Sequence, residues 1–303
     1  MKASLAMEEG VKSVPLPPSR FHGTAFVLAG GGSHGAVQVG MLQALVGAGV
    51  RPDFIVGTSV GALNGLFFAS DPTSDGVARM AAIWRGLAED GIYPNLPLAW
   101  LRALIGRRTH IVDPARLRRL LATRLVVKEL QDTVLPIAVV AADLRDGEEV
   151  VLTEGVASDA VVASAAIPGL FPPVRIGDRQ LVDGALARHS ALTAAVTLGA
   201  TRLIVLPTGF GCAAQEPPRS VLAMALRMVG ILLSRQLATE AQTWSARLPV
   251  AVVPPICPMP VSSYDFTHSP ALIEAAYGTT ARWIEAGGLE SPHIPTTLAP
   301  HHH

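Results

Sequence analysis

Apolar runs alternate with helical patterns at the start of the chain. Short, continuously apolar runs at residues 24–29 and 54–57 predict buried strands. Each run is followed by glycine and then by apolar residues at helical spacing, at 36–46 and 60–69. The order strand, helix, strand, helix with apolar strands is typical of a parallel sheet that helices cover on both faces.

The later pattern predicts further elements around this unit. Asp113 as N-cap and Pro114 at the first position predict the start of a helix that ends near residue 125. The remaining predicted helices are 77–87, 96–105, 157–165, 220–239 and 270–286, and the remaining predicted strands are 135–142, 149–153, 180–182, 203–206 and 250–253. We therefore expect one α/β domain over residues 24–287 with a helical excursion near 75–125, a loose leader over 1–23 and a tail over 288–303.

Composition excludes several classes of function. Half of the 303 residues are hydrophobic, 16% are charged, and 24 basic side chains balance 24 acidic ones. A disordered chain combines few apolar residues with a large net charge, and a nucleic-acid binder usually carries a basic excess. We therefore expect a folded protein that binds no nucleic acid and has apolar surface available for lipid.

No segment of the sequence has the pattern of a signal peptide or a membrane span. The first 20 residues lack the apolar core of a signal peptide, and glycines at 30–32 interrupt the uncharged stretch 21–50. Apolar stretches at 98–108 and 221–237 carry arginines. This favours core helices in which the arginine stems lie over apolar surface; the alternative is that these helices form a membrane-facing lip or a groove for an acyl chain. We expect no transmembrane helix, a cytoplasmic location, and room for peripheral contact with a membrane.

The first candidate for chemistry is a serine between the second strand and the second helix. Gly57-Thr58-Ser59-Val60-Gly61 fits G-x-S-x-G, in which a sharp turn exposes the hydroxyl and small neighbours let the turn close. The helix N-terminus behind the serine favours developing negative charge. We predict that Ser59 is a nucleophile on an elbow formed with Gly57 and Gly61; the alternative is a glycine-rich turn with an incidental serine.

A glycine loop follows the first strand. Gly30-Gly31-Gly32-Ser33-His34-Gly35 also fits the G-x-G-x-x-G pattern of dinucleotide sites, but that pattern requires an acidic residue at the end of the second strand. Asp53 precedes that strand, so we favour an oxyanion hole, because glycines let backbone N–H groups approach a carbonyl oxygen. Neighbouring parallel strands would place this loop and Ser59 at one edge of the sheet.

A serine nucleophile requires a base. In Asp183-Gly184-Ala185, a carboxylate follows a short strand, and it is either that base or an ordinary turn aspartate. Ser59, Asp183 and His268 also occur in the chain order of an α/β-hydrolase triad, and His189 is close to Asp183, although only two strands precede Ser59. A lipid-binding or regulatory protein without catalysis is a third alternative.

Taken in this order, the three motifs resemble the patatin-like phospholipase family. Stretches at residues 163–168, 171–173 and 265–286 are similar too, so the resemblance covers about residues 24–287. It implies a three-layer α/β/α fold with a central, mostly parallel sheet. It also implies a serine acyl hydrolase of phospholipase A, lysophospholipase or carboxylesterase type, with a Ser59–Asp183 dyad and an acyl-enzyme intermediate.

The resemblance also implies the remaining parts of the site. Gly31 and Gly32 would supply the oxyanion N–H groups with Gly30 and Ser33 beside them, Gly184 and Ala185 would complete the aspartate motif, and no metal or organic cofactor is required. The substrate would be a lipid or another acyl ester. Two departures stand out. His34 occupies a position where the family often has Arg or Lys, which makes a charge there dependent on pH. Residues 186–190 stand where the family often has an Asn-Pro-like stretch, so the sequence does not indicate which residues support the loop after Asp183.

Overall fold

The computed structural model describes residues 20–90, 113–209, 221–257, 259, 265–290, 294, 295 and 298. The predicted helix at 96–105, the arginine-bearing stretch 98–108 and most of the predicted leader and tail lie outside these residues. The described part centres on one mixed, mostly parallel sheet with helices on both faces, which confirms the predicted fold class.

The sheet contains eight strands within the described part of the chain. They are β1 (Gly23–Leu28), β2 (Phe54–Thr58), β3 (Ile137–Asp143), β4 (Glu149–Leu152), β5 (Val174–Ile176), β6 (Arg179–Asp183), β7 (Ala200–Leu206) and β8 (Val250–Val252). The hydrogen-bonded order is β5-β6-β3-β2-β1-β7-β8, with β4 also paired to β3. Strands β3, β2, β1, β7 and β8 are parallel to one another, whereas β4 and β6 run antiparallel to β3, and β5 antiparallel to β6.

Helices form the two outer layers. They are α1 (Ala36–Gly47), α2 (Val60–Ser70), α3 (Ser74–Asp90), α4 (Ala115–Arg124), α5 (Ala157–Ser164), α6 (Ala191–Leu198), α7 (Val221–Ser245) and α8 (Ser269–Glu285). Alternate residues of a strand face opposite sides of a sheet, so Phe26 packs in one core with α1, α2 and α8, while Val27 packs in the other with α6 and α7. None of the described helices is long and apolar enough to cross a bilayer.

Several elements differ from the sequence-based expectation, including α7, which extends to Ser245 and not 239, and β7, which begins at Ala200 and not 203. Strand β5 was not predicted because it is a short edge strand; it joins β6 through a two-residue turn in which Gly177 has φ +61°. Helix α6 was not predicted either, although Ser190 caps its start and Gly199 ends it in a left-handed conformation. The predicted N-cap of α4 was wrong by one residue: it is Pro114 and not Asp113. The Asp113 carboxylate accepts from the Ala115 N–H at 2.8 Å.

Candidate active site

The ends of β2 and β6 meet on one edge of β3. Val140 pairs with Thr58, the last residue of β2, and the next residue, Ala141, pairs with Asp183, the last residue of β6. Because β4 pairs with both of these β3 residues from the other side, β2 and β6 occupy the same edge and approach each other end to end. The residue that follows Thr58 is Ser59, so the sheet itself brings Ser59 and Asp183 together.

Ser59 lies on a tight strand-to-helix turn, as predicted. Its backbone has φ +54° and ψ −124°, and within the described chain it is the one non-glycine residue with positive φ. Such a conformation costs about 1–3 kcal/mol and persists only where surrounding structure holds it. The flanking glycines are needed for space: a Cβ at Gly61 would lie 2.1 Å from the Leu28 carbonyl oxygen, and one at Gly57 would lie 2.5 Å from the Gly61 carbonyl oxygen.

The side chains of Ser59 and Asp183 are in direct contact. The Ser59 hydroxyl donates to Asp183 Oδ2 at 2.7 Å, and Asp183 Oδ1 accepts from the Ala185 N–H at 2.9 Å. Both residues are buried, and burial raises the pKa of Asp183 to about 6, against the opposing effect of its two hydrogen bonds. His268, the histidine of the alternative triad, lies instead beside Asp265, with Nε2 3.5 Å from its carboxylate.

A second serine holds this arrangement in place. The Ser59 N–H donates to Ser164 Oγ at 2.8 Å, and the Ser164 hydroxyl donates to the Val140 carbonyl oxygen at 2.6 Å. The Asp183 N–H donates to the Ala166 carbonyl oxygen at 3.0 Å. The segment 163–168 therefore anchors both Ser59 and Asp183. Ser164 was not among the predicted site residues, although a lone serine at the end of an apolar helix is a signal for such a contact.

The glycine loop lies beside Ser59, as predicted from the parallel pairing of β1 with β2. A Cβ at Gly30 would be 3.2 Å from the Ser59 Cβ, and Thr208 Oγ1 donates to the Gly30 carbonyl oxygen at 2.6 Å. Gly32 has φ +59°, which favours glycine, and it lines the same cavity as Ser59. Ser33 and His34 follow in a short 3-10 turn (Gly32–Gly35) and are buried.

A cavity of about 550 Å³ opens over Ser59. Its walls are mainly apolar and include Leu63, Trp84, Ile167, Phe171 and Phe266. One side is formed by α4, from which three arginines and Thr123 also line the space. The volume is that of a small-molecule pocket, and the apolar walls suit a hydrocarbon chain.

Comparison with known proteins decides the family. The model of the family described as patatin-like phospholipase matches residues 26–196, which is more than half of the chain. The chain belongs to the patatin-like phospholipase family. An uncharacterized NTE family protein of Mycobacterium tuberculosis is 34% identical over 164 residues, which are 54% of this chain and 26% of that protein. Patatin-like phospholipase domain-containing protein 7 of Rattus norvegicus is 28% identical over 187 residues, which are 61% of this chain and 13% of that protein.

The patatin-like chain thus spans about a quarter or less of the length of these curated relatives. Among solved structures, the human GIVD cytosolic phospholipase A2 in complex with methyl gamma-linolenyl fluorophosphonate aligns with a TM-score of 0.46 at 11% identity, over 92% of this chain and 59% of that one. VipD from Legionella pneumophila aligns with a TM-score of 0.43 at 13% identity, over 88% of this chain and 67% of that one.

The loop after Asp183 has its own anchor in this patatin-like protein. Glu240 of α7 accepts from the Ser190 N–H at 2.8 Å, from the Ser190 hydroxyl at 2.7 Å and from the Thr193 hydroxyl at 2.7 Å. Gln236, one turn earlier on α7, donates to the Arg188 carbonyl oxygen at 3.3 Å. Helix α7 therefore supports the stretch 186–190, where the sequence departs from the pattern common in the family.

A buried polar network supports the glycine loop from behind. The Gln38 side-chain amide donates to the Ala29 carbonyl oxygen at 2.8 Å, just before the loop. The Asn64 amide donates to Gln38 Oε1 and to the Gly35 carbonyl oxygen, both at 2.9 Å, and accepts from the Trp84 indole at 2.9 Å. This network connects α1, α2 and α3, and it ends at Trp84, which is itself a wall of the cavity. These residues were not predicted from the sequence, where the signal is a polar residue within an otherwise apolar helix.

No group of three or more His, Cys, Asp or Glu side chains is placed to hold a metal ion in the part of the chain that the structure describes. The chemistry that the described site offers is that of a hydroxyl in contact with a carboxylate whose pKa is raised by burial.

Proposed function

We propose that this patatin-like chain is a serine lipid acyl hydrolase that uses Ser59 as nucleophile and Asp183 as base. The observation that carries the proposal is the buried 2.7 Å contact between the two side chains at the base of an apolar cavity. A base must lie within hydrogen-bond reach of the proton that it takes, and this contact meets that condition. We also propose that residues 24–287 form the catalytic domain.

In the proposed reaction, the Ser59 oxygen attacks the acyl carbonyl carbon while its proton passes to the Asp183 carboxylate. N–H groups of Gly31 and Gly32, with Gly30 and Ser33 beside them, would stabilise the resulting oxyanion. The tetrahedral intermediate then collapses, the alcohol leaves with the proton from Asp183, and the acyl group remains on Ser59. Water, deprotonated by Asp183, then attacks the acyl carbonyl carbon; when the bond to Ser59 breaks, the Ser59 oxygen takes the proton from Asp183 and the carboxylic acid leaves.

The pKa of Asp183 suits this cycle. A base is most effective when its pKa is close to the working pH, because it is then both ionised and basic. With a pKa of about 6, Asp183 is mostly ionised at neutral pH, yet it is a stronger base than an exposed aspartate. Burial therefore allows this carboxylate to act as the general base, which is the role of the histidine in a Ser-His-Asp triad.

The proposed substrates are lipid or other acyl esters, and the apolar cavity over Ser59 supports this class. We further propose peripheral contact with a lipid surface. Met224, Met228 and Leu232 are exposed at four-residue spacing on α7, so they form an apolar stripe along one side of that helix. The middle of α7 lies at the sheet edge that carries Ser59, because Leu233 and Gln236 line a small pocket together with Gly30 and Thr58.

The test is steady-state hydrolysis of a nitrophenyl ester and of a phospholipid by four purified proteins: wild type, Ser59→Ala, Asp183→Asn and His268→Ala. We expect both site variants to lose at least about 10³-fold in kcat and His268→Ala to stay close to wild type. Loss of activity in His268→Ala equal to that in Asp183→Asn would favour the triad instead. Wild type without turnover on any ester would favour a non-catalytic lipid-binding protein.

A further inference from the structure

We propose that Trp84, Asn64 and Gln38 are positioning residues of the reaction, which hold the glycine loop in the form that receives the oxyanion. The contacts run from the Trp84 indole, through the two side-chain amides, to carbonyl groups at both ends of the loop. The inference rests on the proposed hydrolase function, because it concerns where the loop N–H groups lie when the ester carbonyl becomes an oxyanion.

The glycine loop is held at both ends by side chains that come from outside it. At its start, Gln38 Nε2 donates to the Ala29 carbonyl oxygen at 2.8 Å. At its end, Asn64 Nδ2 donates to the Gly35 carbonyl oxygen at 2.9 Å. The loop begins with three glycines, which have no side chains of their own to hold it. Its conformation therefore depends on these two amides.

The Trp84 indole sets the direction of both amides. An indole N–H only donates, and this one donates to Asn64 Oδ1 at 2.9 Å, so the Asn64 amide nitrogen faces the other way. That nitrogen donates its two hydrogens to the Gly35 carbonyl oxygen and to Gln38 Oε1. Because Gln38 Oε1 accepts there, Gln38 Nε2 directs both of its hydrogens at backbone carbonyl groups. One donor thus fixes which end of each amide faces the loop.

The three side chains are shielded from solvent, so a lost contact has no substitute in bulk water. Gln38 and Asn64 are fully buried, and Trp84 is 2% exposed. The oxygen and the nitrogen of an amide have nearly the same size, so an Asn64 side chain without its indole donor can reverse at little cost in packing. The reversed amide would direct its oxygen at the Gly35 carbonyl oxygen. Two acceptors repel each other, so the end of the loop would move.

Trp84 lies between the glycine loop and the cavity. Its ring lines the cavity over Ser59, stacks on Phe266 with 5.8 Å between ring centroids, and approaches Gly35, where a Cβ would lie 3.0 Å from the ring. The ring therefore contacts the space for the acyl chain, while the N–H group acts on the loop. A shift of about 1 Å in a positioned group can lower a rate about 10²-fold, so loss of the N–H group should act on the chemical steps.

The test compares wild type with Trp84→Phe, Asn64→Ala and the double variant on nitrophenyl hexanoate. Trp84→Phe keeps an aromatic wall in the cavity and removes the donor, so it decides the inference even if Asn64→Ala does not fold. Trp283→Phe is the matched control: it is the same substitution at another buried tryptophan, whose indole N–H has no hydrogen-bond partner within the described residues. Circular dichroism establishes a temperature at which each protein is folded, and rates are measured there.

The expected losses are in kcat. We expect Trp84→Phe to lower kcat about tenfold and Asn64→Ala about 10²-fold, with KM within about threefold of wild type. Acylation and deacylation both pass through an oxyanion, so kcat falls whichever step limits it. The double variant should stay within about twofold of Asn64→Ala, because the indole acts through Asn64. Trp283→Phe should keep both constants within about twofold of wild type.

A second measurement separates the oxyanion from the wall of the cavity. With hexyl trifluoromethyl ketone, the Ser59 oxygen adds to the carbonyl carbon, the Ser59 proton passes to Asp183, and the former carbonyl oxygen becomes an oxyanion with no group that can leave. Hexyl methyl ketone has the same chain but forms no stable adduct, so it measures binding in the cavity alone. Trp84→Phe should raise the inhibition constant of the trifluoromethyl ketone about tenfold and leave that of the methyl ketone within about twofold.

The contrary results are distinct from one another. An equal rise in both inhibition constants, or a rise in KM with kcat unchanged, would overturn the inference, because Trp84 would then act only as a wall of the cavity. Wild-type kinetics of Trp84→Phe, or additive losses in the double variant, would also overturn it, because the indole would then not act through Asn64. Absence of turnover by wild type on the ester would overturn the proposed function itself.

Discussion

Replacing Asp183 by asparagine should stabilise the fold at neutral pH while removing activity. The carboxylate is 3% exposed, and burial raises its pKa from 3.8 to about 6. At 1.36 kcal/mol per pKa unit, this rise means that the folded protein holds the ionised carboxylate at a cost of about 3 kcal/mol relative to the unfolded chain. Asparagine cannot ionise, so it avoids that cost, and its amide can still accept from the Ala185 N–H and contact the Ser59 hydroxyl.

The sign of the pH dependence follows from linkage. A group whose pKa is higher in the folded state binds protons more tightly there, so the stability of wild type falls as pH rises from about 4 through about 6 and then levels off. Urea unfolding followed by tryptophan fluorescence should be measured for both proteins at about pH 4 and pH 8. We expect the stability of Asp183→Asn relative to wild type to increase by about 2 kcal/mol between these two values, because the unfolded carboxyl is already partly ionised at pH 4.

A matched control comes from the end of β3. The Asp143 carboxylate accepts from the Arg145 guanidinium at 2.8 Å, and hydrogen bonds from Arg145 lower the pKa of Asp143 to about 2. A lowered pKa contributes stability above the unfolded value of 3.8 that is lost as pH falls through about 2, so Asp143→Asn should destabilise the protein at pH 8. The reasoning is refuted if Asp183→Asn is destabilised at pH 8 like Asp143→Asn, or if its difference from wild type does not change with pH.

Three further predictions concern the same site. The kcat/KM for a neutral ester should fall about tenfold per pH unit below about pH 6, as Asp183 becomes protonated, and a flat profile down to about pH 4.5 would contradict its role as base. Ser164→Ala should lower the unfolding free energy by about 2 kcal/mol and reduce kcat, because it removes two buried hydrogen bonds. The control Ser234→Ala on α7 removes one hydrogen bond and should leave kcat unchanged. Gly61→Ala should abolish activity, because its Cβ would lie 2.1 Å from a backbone oxygen. The control is Gly86→Ala, which has open space around it and should be neutral or slightly stabilising. Equal activity of the two variants would be inconsistent with a tight turn at Ser59.

The first part of the fold could be predicted from local pattern. Strands β1 and β2 are short apolar runs, and α1 and α2 are apolar segments, buried on almost all sides, with glycine at the turns before them. These signals are local, so they do not depend on what packs against them. The predicted position of Ser59 at the start of α2 followed from the same signals and was confirmed.

The contact between Ser59 and Asp183 could not be derived from spacing. The two residues are separated by 124 positions, and they meet because β2 and β6 end at adjacent residues of β3. That register depends on long-range pairing, for which no local pattern exists; the motif resemblance supplied it instead. The same limit applies to α4, which was predicted as a helix but without any indication that its arginines line the cavity over Ser59.

The most direct test of the central claim is reaction of the intact protein with a fluorophosphonate probe, followed by mass spectrometry of the protein and its peptides. The Ser59–Asp183 contact predicts one adduct on wild type, located at Ser59, with none on Ser59→Ala and much slower labelling of Asp183→Asn. Urea-unfolded wild type should not react, because activation of the hydroxyl depends on the folded contact. Labelling of another residue, or equal labelling of native wild type and Ser59→Ala, would contradict the proposal that Ser59 is the activated nucleophile.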